Sequence, residues 1–278
     1  MTDQPSNDVL RIERRGDGVT FLTKVNAEAN FGMSVAMLSA MTRAIEAARD
    51  DDAVRAIVID AAGDGFHAGA VAVTELKPSL TELSRADFER LVELGHALGR
   101  RIADLPIPVI GIARGGALGG GLELLLRSDF LYCLDAARFS FPEVTLGFVA
   151  AWGGTQLTPR LVPFRKAQEF LLLGEAIDGR CAEAYGLVTR SFADEAALAS
   201  HLEAVLDRLR LCSPSSLCWT KQCLRSVWEG PLAHGERVEM LAETETMATG
   251  DFHKGLAALL AGTKHDFVSD TQRSKTRT

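Results

Sequence analysis

The chain has 278 residues, which is enough for one large domain or for a domain with a smaller appendage. Hydrophobic residues make up 47% and charged residues 24%, as in globular proteins with a sizeable core. The net charge of −7 argues against a nucleic-acid partner, and the lack of any apolar run of about 20 residues argues against a membrane span.

The first part of the chain predicts a β-hairpin followed by a helix. Residues 8–28 alternate between apolar and polar side chains, and Gly16-Asp17-Gly18 supplies a turn between two strands. Ser34 can cap a helix whose apolar side chains recur at helical spacing, and Asp50-Asp51-Asp52 ends that helix.

Strand and helix patterns then alternate. Residues 54–59 predict a buried strand, residues 71–83 an irregular loop near the site, and Ser84 the cap of a second long helix. Further strands are predicted at 107–113, 130–134, 139–141 and 187–192, and helices at 155–175 and 179–186. From residue 194 the patterns are only helical, at 194–211, 215–228, 233–248 and 251–260. This order predicts an α/β core with a C-terminal helical appendage, although a doubly wound sheet would give a similar pattern.

The cysteines indicate the compartment. They are odd in number and lack CxxC spacing: Cys133, Cys181, Cys212, Cys218 and Cys223. Such a set is typical of reduced thiols, and it fits neither a disulfide framework nor a zinc site. The polar, acidic N-terminus lacks the basic and apolar zones of a signal peptide. We therefore expect a cytoplasmic protein without a bound metal.

The most informative stretch runs from Gly115 to Glu123 and contains three consecutive glycines, Gly119 to Gly121. Between a strand-like and a helix-like run, glycines let backbone N–H groups approach a ligand, and the helix start favours negative charge there. Glu123 lies in the first turn as a potential acid or base. Backbone donors beside a carboxylate are typical of an oxyanion-stabilising site, although a tight packing turn would also explain the glycines.

Two further clusters accompany this stretch. Phe141-Pro142-Glu143 precedes a second Gly-rich turn, and Gly65-Phe66-His67-Ala68-Gly69-Ala70 follows a predicted strand. Together the three clusters resemble the enoyl-CoA hydratase/isomerase (crotonase) family. The resemblance covers residues 8–268 and extends to Asn30, Asp129 and the segments 171–177, 182–188 and 251–259.

The resemblance implies a fold that periodicity alone does not. The family folds as a crotonase-like α/β spiral of ββα units with a C-terminal helical trimerisation region. On this basis residues 1–195 form the α/β core with the active site, residues 196–268 form the helical oligomerisation domain, and residues 269–278 are a disordered tail. A homotrimer or a dimer of trimers is the expected assembly.

The resemblance also implies a chemistry. In the family, two backbone N–H groups bind a thioester oxygen as it becomes enolate-like, and the matching residues here are Ala70 and Gly120. Hydratases of the family carry two glutamates, which match Glu123 and Glu143: one is the base on a water, and the other donates a proton to the α-carbon. We therefore expect reversible syn addition of water to a 2-enoyl-CoA thioester, with coenzyme A as part of the substrate and no separate cofactor.

The substrate-lining residues depart from the family's pattern. By position, the residues expected to line the substrate are Ala68, His67, Gly119, Ala151 and Trp152. Val71 replaces a usual Asp, Val73 replaces a Lys near the nucleotide, and Ala151-Trp152 replaces smaller residues. These departures leave open an acyl-carrier-protein thioester or a free ketone as the substrate.

Other readings of the site therefore remain. A β-diketone C–C hydrolase or an enoyl-CoA isomerase would use the same oxyanion donors. His67 favours the hydrolase if its imidazole is an acid or base; the alternative is a packed turn residue. A non-catalytic oligomeric member of the family would not need both glutamates.

Overall fold

The computed structural model describes residues 9–26, 32–69 and 84–268. The strands in these ranges are β1 (Leu10–Arg14), β2 (Val19–Lys24), β3 (Ala56–Ala61), β4 (Phe66–His67), β5 (Val109–Ala113), β6 (Gly116–Leu118), β7 (Phe130–Leu134), β8 (Arg138–Ser140), β9 (Ile177–Asp178) and β10 (Arg190–Phe192). The helices are α1 (Val35–Arg49), α2 (Arg85–Ala103), α3 (Gly120–Leu125), α4 (Gly154–Leu161), α5 (Phe164–Leu173), α6 (Gly179–Tyr185), α7 (Glu195–Arg210), α8 (Pro214–Ser226), α9 (Leu232–Ala248) and α10 (Asp251–Leu260), with a 3₁₀ helix at Pro142–Leu146. The expected loop at 71–83, the expected tail at 269–278, and Asn30, Ala70, Val71 and Val73 lie outside the described residues.

Elements with long periodic patterns form where they are predicted. The hairpin pairs β1 with β2 in antiparallel register. Ser34 Oγ accepts a hydrogen bond from Met37 N at 3.1 Å, and Ser84 Oγ accepts one from Asp87 N at 3.2 Å. Both hydroxyls satisfy N–H groups that the first helical turn leaves without intrahelical partners, which confirms the two predicted caps.

The chain winds between two sheets. The larger sheet has the order β1-β2-β3-β5-β7-β10, and the smaller has the order β4-β6-β8-β9. Successive strand pairs β3–β4, β5–β6 and β7–β8 each place one strand in the larger sheet and the next in the smaller one, and each is followed by helix. This alternation is the spiral of ββα units expected from the resemblance, and it differs from a doubly wound single sheet.

Two local features differ from the sequence patterns. Strands β4, β6 and β9 have only two or three residues, so alternation cannot identify them, and β6 lies in the predicted glycine turn. The single helix predicted at 155–175 is two helices, α4 and α5. Val162 between them is extended, with φ −117° and ψ 160°, because the ring of Pro163 disfavours helical backbone at the preceding residue.

The larger sheet is covered on both faces. Helices α1 and α2 contribute to the main core between the sheets, which includes Met37, Leu98 and Ile102. On the other face, Leu198 and Leu202 of α7 pack against Tyr132 and its neighbours. The expected division after residue 195 therefore falls within the first turn of α7, a helix that packs on the larger sheet.

The last three helices form a separate layer with a large apolar surface. Helix α8 is tied to the core by Lys221, whose Nζ donates to Asp129 Oδ2 at 2.6 Å and to the Ile107 carbonyl at 2.8 Å. Large apolar side chains of α8, α9 and α10 are nevertheless exposed: Leu224, Leu232, Met240, Leu241, Phe252, Leu259 and Leu260. Over the described ranges, none of the helices combines the length and the apolar character that crossing a bilayer requires.

Candidate active site

Three neighbouring strands bring the three sequence clusters together. In the smaller sheet β4, β6 and β8 run parallel, with Phe66 paired to Gly116 and Gly116 paired to Arg138. Adjacent parallel strands end at the same edge of a sheet. The segments that follow them, at 68–69, 119–120 and 141–143, are therefore delivered to one edge.

The first two segments meet backbone to backbone. A Cβ added at Gly69 would lie 2.8 Å from the amide nitrogen of Gly120, and one added at Gly121 would meet the carbonyl oxygens of His67 and Ala68. Glycine is required because a side chain at either position would separate the two segments. The Gly120 amide therefore lies beside the segment that continues to Ala70. Since Ala70 lies outside the described residues, the pair of oxyanion donors stays a prediction.

Glu123 is held in a buried, defined position. It lies in the first turn of α3 and is 2% exposed. Its Oε1 accepts hydrogen bonds from Trp152 N and Gly154 N, both at 2.7 Å, and neither of these two bonds involves Oε2. Burial raises the pKa of Glu123 to about 7; the backbone donors act in the opposite direction, and the nearby Glu143 carboxylate raises it further.

Glu143 approaches the same turn from the other side. It lies in the 3₁₀ helix after β8, and a Cβ added at Gly119 would be 3.3 Å from the Glu143 carboxyl carbon. Its Oε2 is buried and has no hydrogen-bond partner among the described residues. Burial raises the pKa of Glu143. Two carboxyl groups with raised pKa values therefore flank the Gly119–Gly120 turn, and ionisation of one disfavours ionisation of the other.

Trp152 and Ala151 belong to the loop that clamps Glu123. The Trp152 indole is 5% exposed and lies between two glycines, because a Cβ added at either Gly95 of α2 or Gly120 of α3 would overlap it. Ala151 is partly exposed beside it. Burial lowers the pKa of the His96 imidazole, and Arg100 and Arg127 act in the same direction.

His67 does not join the site through its side chain. The residue is 2% exposed, and its Nε2 hydrogen-bonds to the Ile112 carbonyl at 2.8 Å. Burial, with the nearby Lys24 ammonium, lowers the pKa of the imidazole well below its usual value. The structure therefore corrects the expectation that His67 lines the substrate: its imidazole is a packed, neutral core group.

Two residues next to the site are missed by sequence patterns. Gly95 gives space to the Trp152 ring, and Arg127 Nη2 donates to the Trp152 carbonyl at 3.4 Å. The available signal for Gly95 is an isolated glycine within a helical pattern, which indicates close packing but does not identify the partner. Over the described residues, no group of three or more His, Cys, Asp or Glu side chains is arranged to hold a metal ion.

Comparisons with known proteins bear on the family and the fold. Residues 14–270 match the family model for enoyl-CoA hydratase/isomerase. A probable enoyl-CoA hydratase of Bacillus subtilis is 32% identical over 256 residues, which cover 91% of this chain and 96% of the relative. The 2,3-dehydroadipyl-CoA hydratase of Escherichia coli is 32% identical over 257 residues, which cover 92% and 97%. Among solved structures, an enoyl-CoA hydratase from Mycobacterium smegmatis has a TM-score of 0.86 and 27% identity, with 93% of this chain and 98% of that chain covered.

Proposed function

Because the chain belongs to the enoyl-CoA hydratase/isomerase family, we propose that it catalyses the reversible syn addition of water to a 2-enoyl-CoA thioester. One observation carries this proposal: Glu123 and Glu143, both with raised pKa values, lie on the Gly119–Gly120 turn. A turn that needed glycine only for packing would not require a buried and a partly buried carboxyl group beside it.

The reaction develops charge on the thioester oxygen. Attack of water on the β-carbon moves electrons toward that oxygen, which becomes enolate-like. Under this proposal the amides of Gly120 and Ala70 donate hydrogen bonds to it, and each donor of this kind stabilises the transition state by about 3 kcal/mol. The close approach of Gly69 to Gly120 supports a common position for the two donors.

The two glutamates divide the proton transfers. Hydration needs one ionised carboxylate that removes a proton from water and one carboxylic acid that protonates the α-carbon. Burial, with a smaller contribution from repulsion by Glu143, raises the pKa of Glu123 to about 7 and so favours this singly ionised state near neutral pH. The reverse direction, dehydration, uses the same pair with the roles exchanged.

The substrate is proposed to be a coenzyme A thioester, with no separate cofactor. Relatives named for hydration of 2,3-dehydroadipyl-CoA and methylglutaconyl-CoA support a CoA thioester over a free ketone. The β-diketone hydrolase alternative loses its main support, because the imidazole of His67 is buried and bonded to a strand carbonyl. A cytoplasmic location stays a prediction from the cysteine pattern.

We also propose that the protein assembles as a homotrimer or as a dimer of trimers through α8, α9 and α10. The exposed apolar side chains of these helices support an interface, because surfaces of this kind on a folded chain mark association sites. Size-exclusion chromatography with light scattering tests this proposal. A monomer at micromolar concentration would contradict it.

The hydratase proposal is tested with 2-enoyl-CoA thioesters such as crotonyl-CoA. We expect hydration by the wild type, and losses of about 10²-fold to 10⁴-fold for Glu123→Gln and Glu143→Gln, because each removes one proton-transfer group. Parallel assays for double-bond isomerisation and for cleavage of CoA-free β-diketones separate the alternatives. A double variant with full hydratase turnover would refute the mechanism.

A further inference from the structure

The Trp152 indole occupies a space that exists only because residues 95 and 120 are both glycine. Its five-membered ring and ring junction face Gly95 of α2, and its six-membered ring faces Gly120 of α3. Any other residue at either position would place a Cβ inside the ring's volume. With the indole 5% exposed, the ring joins the two helices as a rigid, buried spacer.

The backbone of the same residue holds the glutamate. Trp152 N donates to Glu123 Oε1 at 2.7 Å, and the Trp152 carbonyl accepts from Arg127 Nη2 at 3.4 Å. Trp152 therefore contacts the amide-bearing Gly120 through its ring and the carboxyl of Glu123 through its backbone. One residue links an oxyanion donor and one of the two proton-transfer groups.

We propose that Trp152 is a positioning residue, which fixes the Gly120 amide relative to the Glu123 carboxyl and keeps water away from that carboxyl. This inference rests on the proposed hydratase function and deepens it. The ring is rigid, and it lies close to the backbone at both Gly95 and Gly120. A smaller side chain would leave a gap between α2 and α3 that the loop, the glycine turn or water must fill.

Displacement of the reacting groups and entry of water beside Glu123 affect different measured quantities. Displacing a reacting group by about 1 Å costs about 10²-fold in rate, and we expect this loss on kcat because the Trp152 side chain is buried beside the reacting groups. Water beside Glu123 relieves the burial that raises its pKa, so the pKa falls. Among the described residues, the charged groups that interact with this carboxyl are Glu143 and Arg127, and truncating an indole removes neither of them.

The experiment measures kcat, KM and the pH–rate profile for hydration of crotonyl-CoA by Trp152→Phe, Trp152→Ala and Gly95→Ala. We expect kcat to fall about tenfold for Trp152→Phe and about 10²-fold for the other two, with KM changed less than threefold. In Trp152→Phe and Trp152→Ala, the high-pH limb of the pH–rate profile moves to lower pH, because the pKa of Glu123 falls. Gly99→Ala is the matched control, since it lies one turn along α2 and the nearest atoms to its Cβ would be side-chain atoms of Arg127 and Leu124, at 3.3 Å or more.

A double variant gives a second test that does not depend on Trp152→Ala folding well. If the indole transmits the effect, Gly95→Ala should cost much less in kcat when Val replaces Trp152, because valine lacks the ring-junction and five-membered-ring atoms that the new methyl group would meet. Equal costs in both backgrounds, or an unchanged pH profile in active Trp152 variants, would overturn the inference. Absence of hydratase activity in the wild type would instead refute the proposed function.

Discussion

Replacing Glu123 by Gln should stabilise the protein while removing its activity. Glu123 is 2% exposed, and burial raises its pKa from 4.5 to about 7. Because the native state holds this proton more tightly than the unfolded chain, native stability falls as pH rises from about 4.5 through about 7. A glutamine has no proton to lose, so the variant escapes this loss.

The size of the effect follows from the pKa difference. A difference of about 2.5 between 4.5 and 7 corresponds to about 3 kcal/mol once both states are ionised, near pH 8.5. At pH 5.5 only about 1 kcal/mol has been lost. The free energy of unfolding of Glu123→Gln, relative to wild type, should therefore increase by about 2 kcal/mol between pH 5.5 and pH 8.5.

Urea unfolding followed by circular dichroism, at one fixed protein concentration, measures this difference. Weaker hydrogen bonds from Trp152 N and Gly154 N to a neutral amide would change stability equally at both pH values, so the comparison isolates the proton. Glu175→Gln, at an exposed position, controls for the loss of one negative charge. The same Glu123→Gln difference at pH 5.5 and pH 8.5 would refute the argument that burial raises this pKa.

Three further predictions concern neighbouring features. Gly119→Ala should reduce the rate of substrate hydration at least 10²-fold, because Gly119 has φ +49° and its new Cβ would contact the Glu143 carboxyl. Gly147→Ala is the control: Gly147 has φ +78° and open space around it, so this variant tests backbone strain alone and should keep its activity. His67→Leu should lower the free energy of unfolding by about 1–3 kcal/mol and leave kcat within threefold, because the imidazole serves packing; a large loss of kcat with normal stability would contradict this. Lys221→Met should cost about 1–2 kcal/mol in unfolding measurements, because it removes an ion pair and two hydrogen bonds at a partly exposed site, and an unchanged midpoint would contradict this.

The sequence predicts most of the fold where patterns are long. The caps at Ser34 and Ser84 and the four C-terminal helices follow from periodicity and capping residues. The crotonase fold itself came from the resemblance, and the likeness to solved hydratases confirms it. Strands of two or three residues, such as Phe66–His67, carry no periodic signal and form only because neighbouring strands supply their hydrogen bonds.

The candidate site is predictable only in part. Glu123 and Glu143 are 20 residues apart in the chain, and only the parallel pairing of β6 with β8 brings their segments together. The contact of Gly95 with Trp152 joins residues 57 positions apart, and no local pattern links them. For His67 the motif identifies the segment but does not reveal the direction of the side chain, which points into the core.

Because the strands alternate between two sheets, the stability of the fold and the geometry of the proposed site depend on different parts of the molecule. The main core includes side chains of both sheets, whereas the proposed catalytic segments follow strands of the smaller sheet, which span at most three residues. Local opening of the smaller sheet would break few hydrogen bonds and expose few core side chains, such as Ala117 and Phe139, so it would cost less free energy than global unfolding. Mild denaturant should therefore abolish activity before it reduces the helical circular-dichroism signal, and it should leave a largely folded but inactive protein.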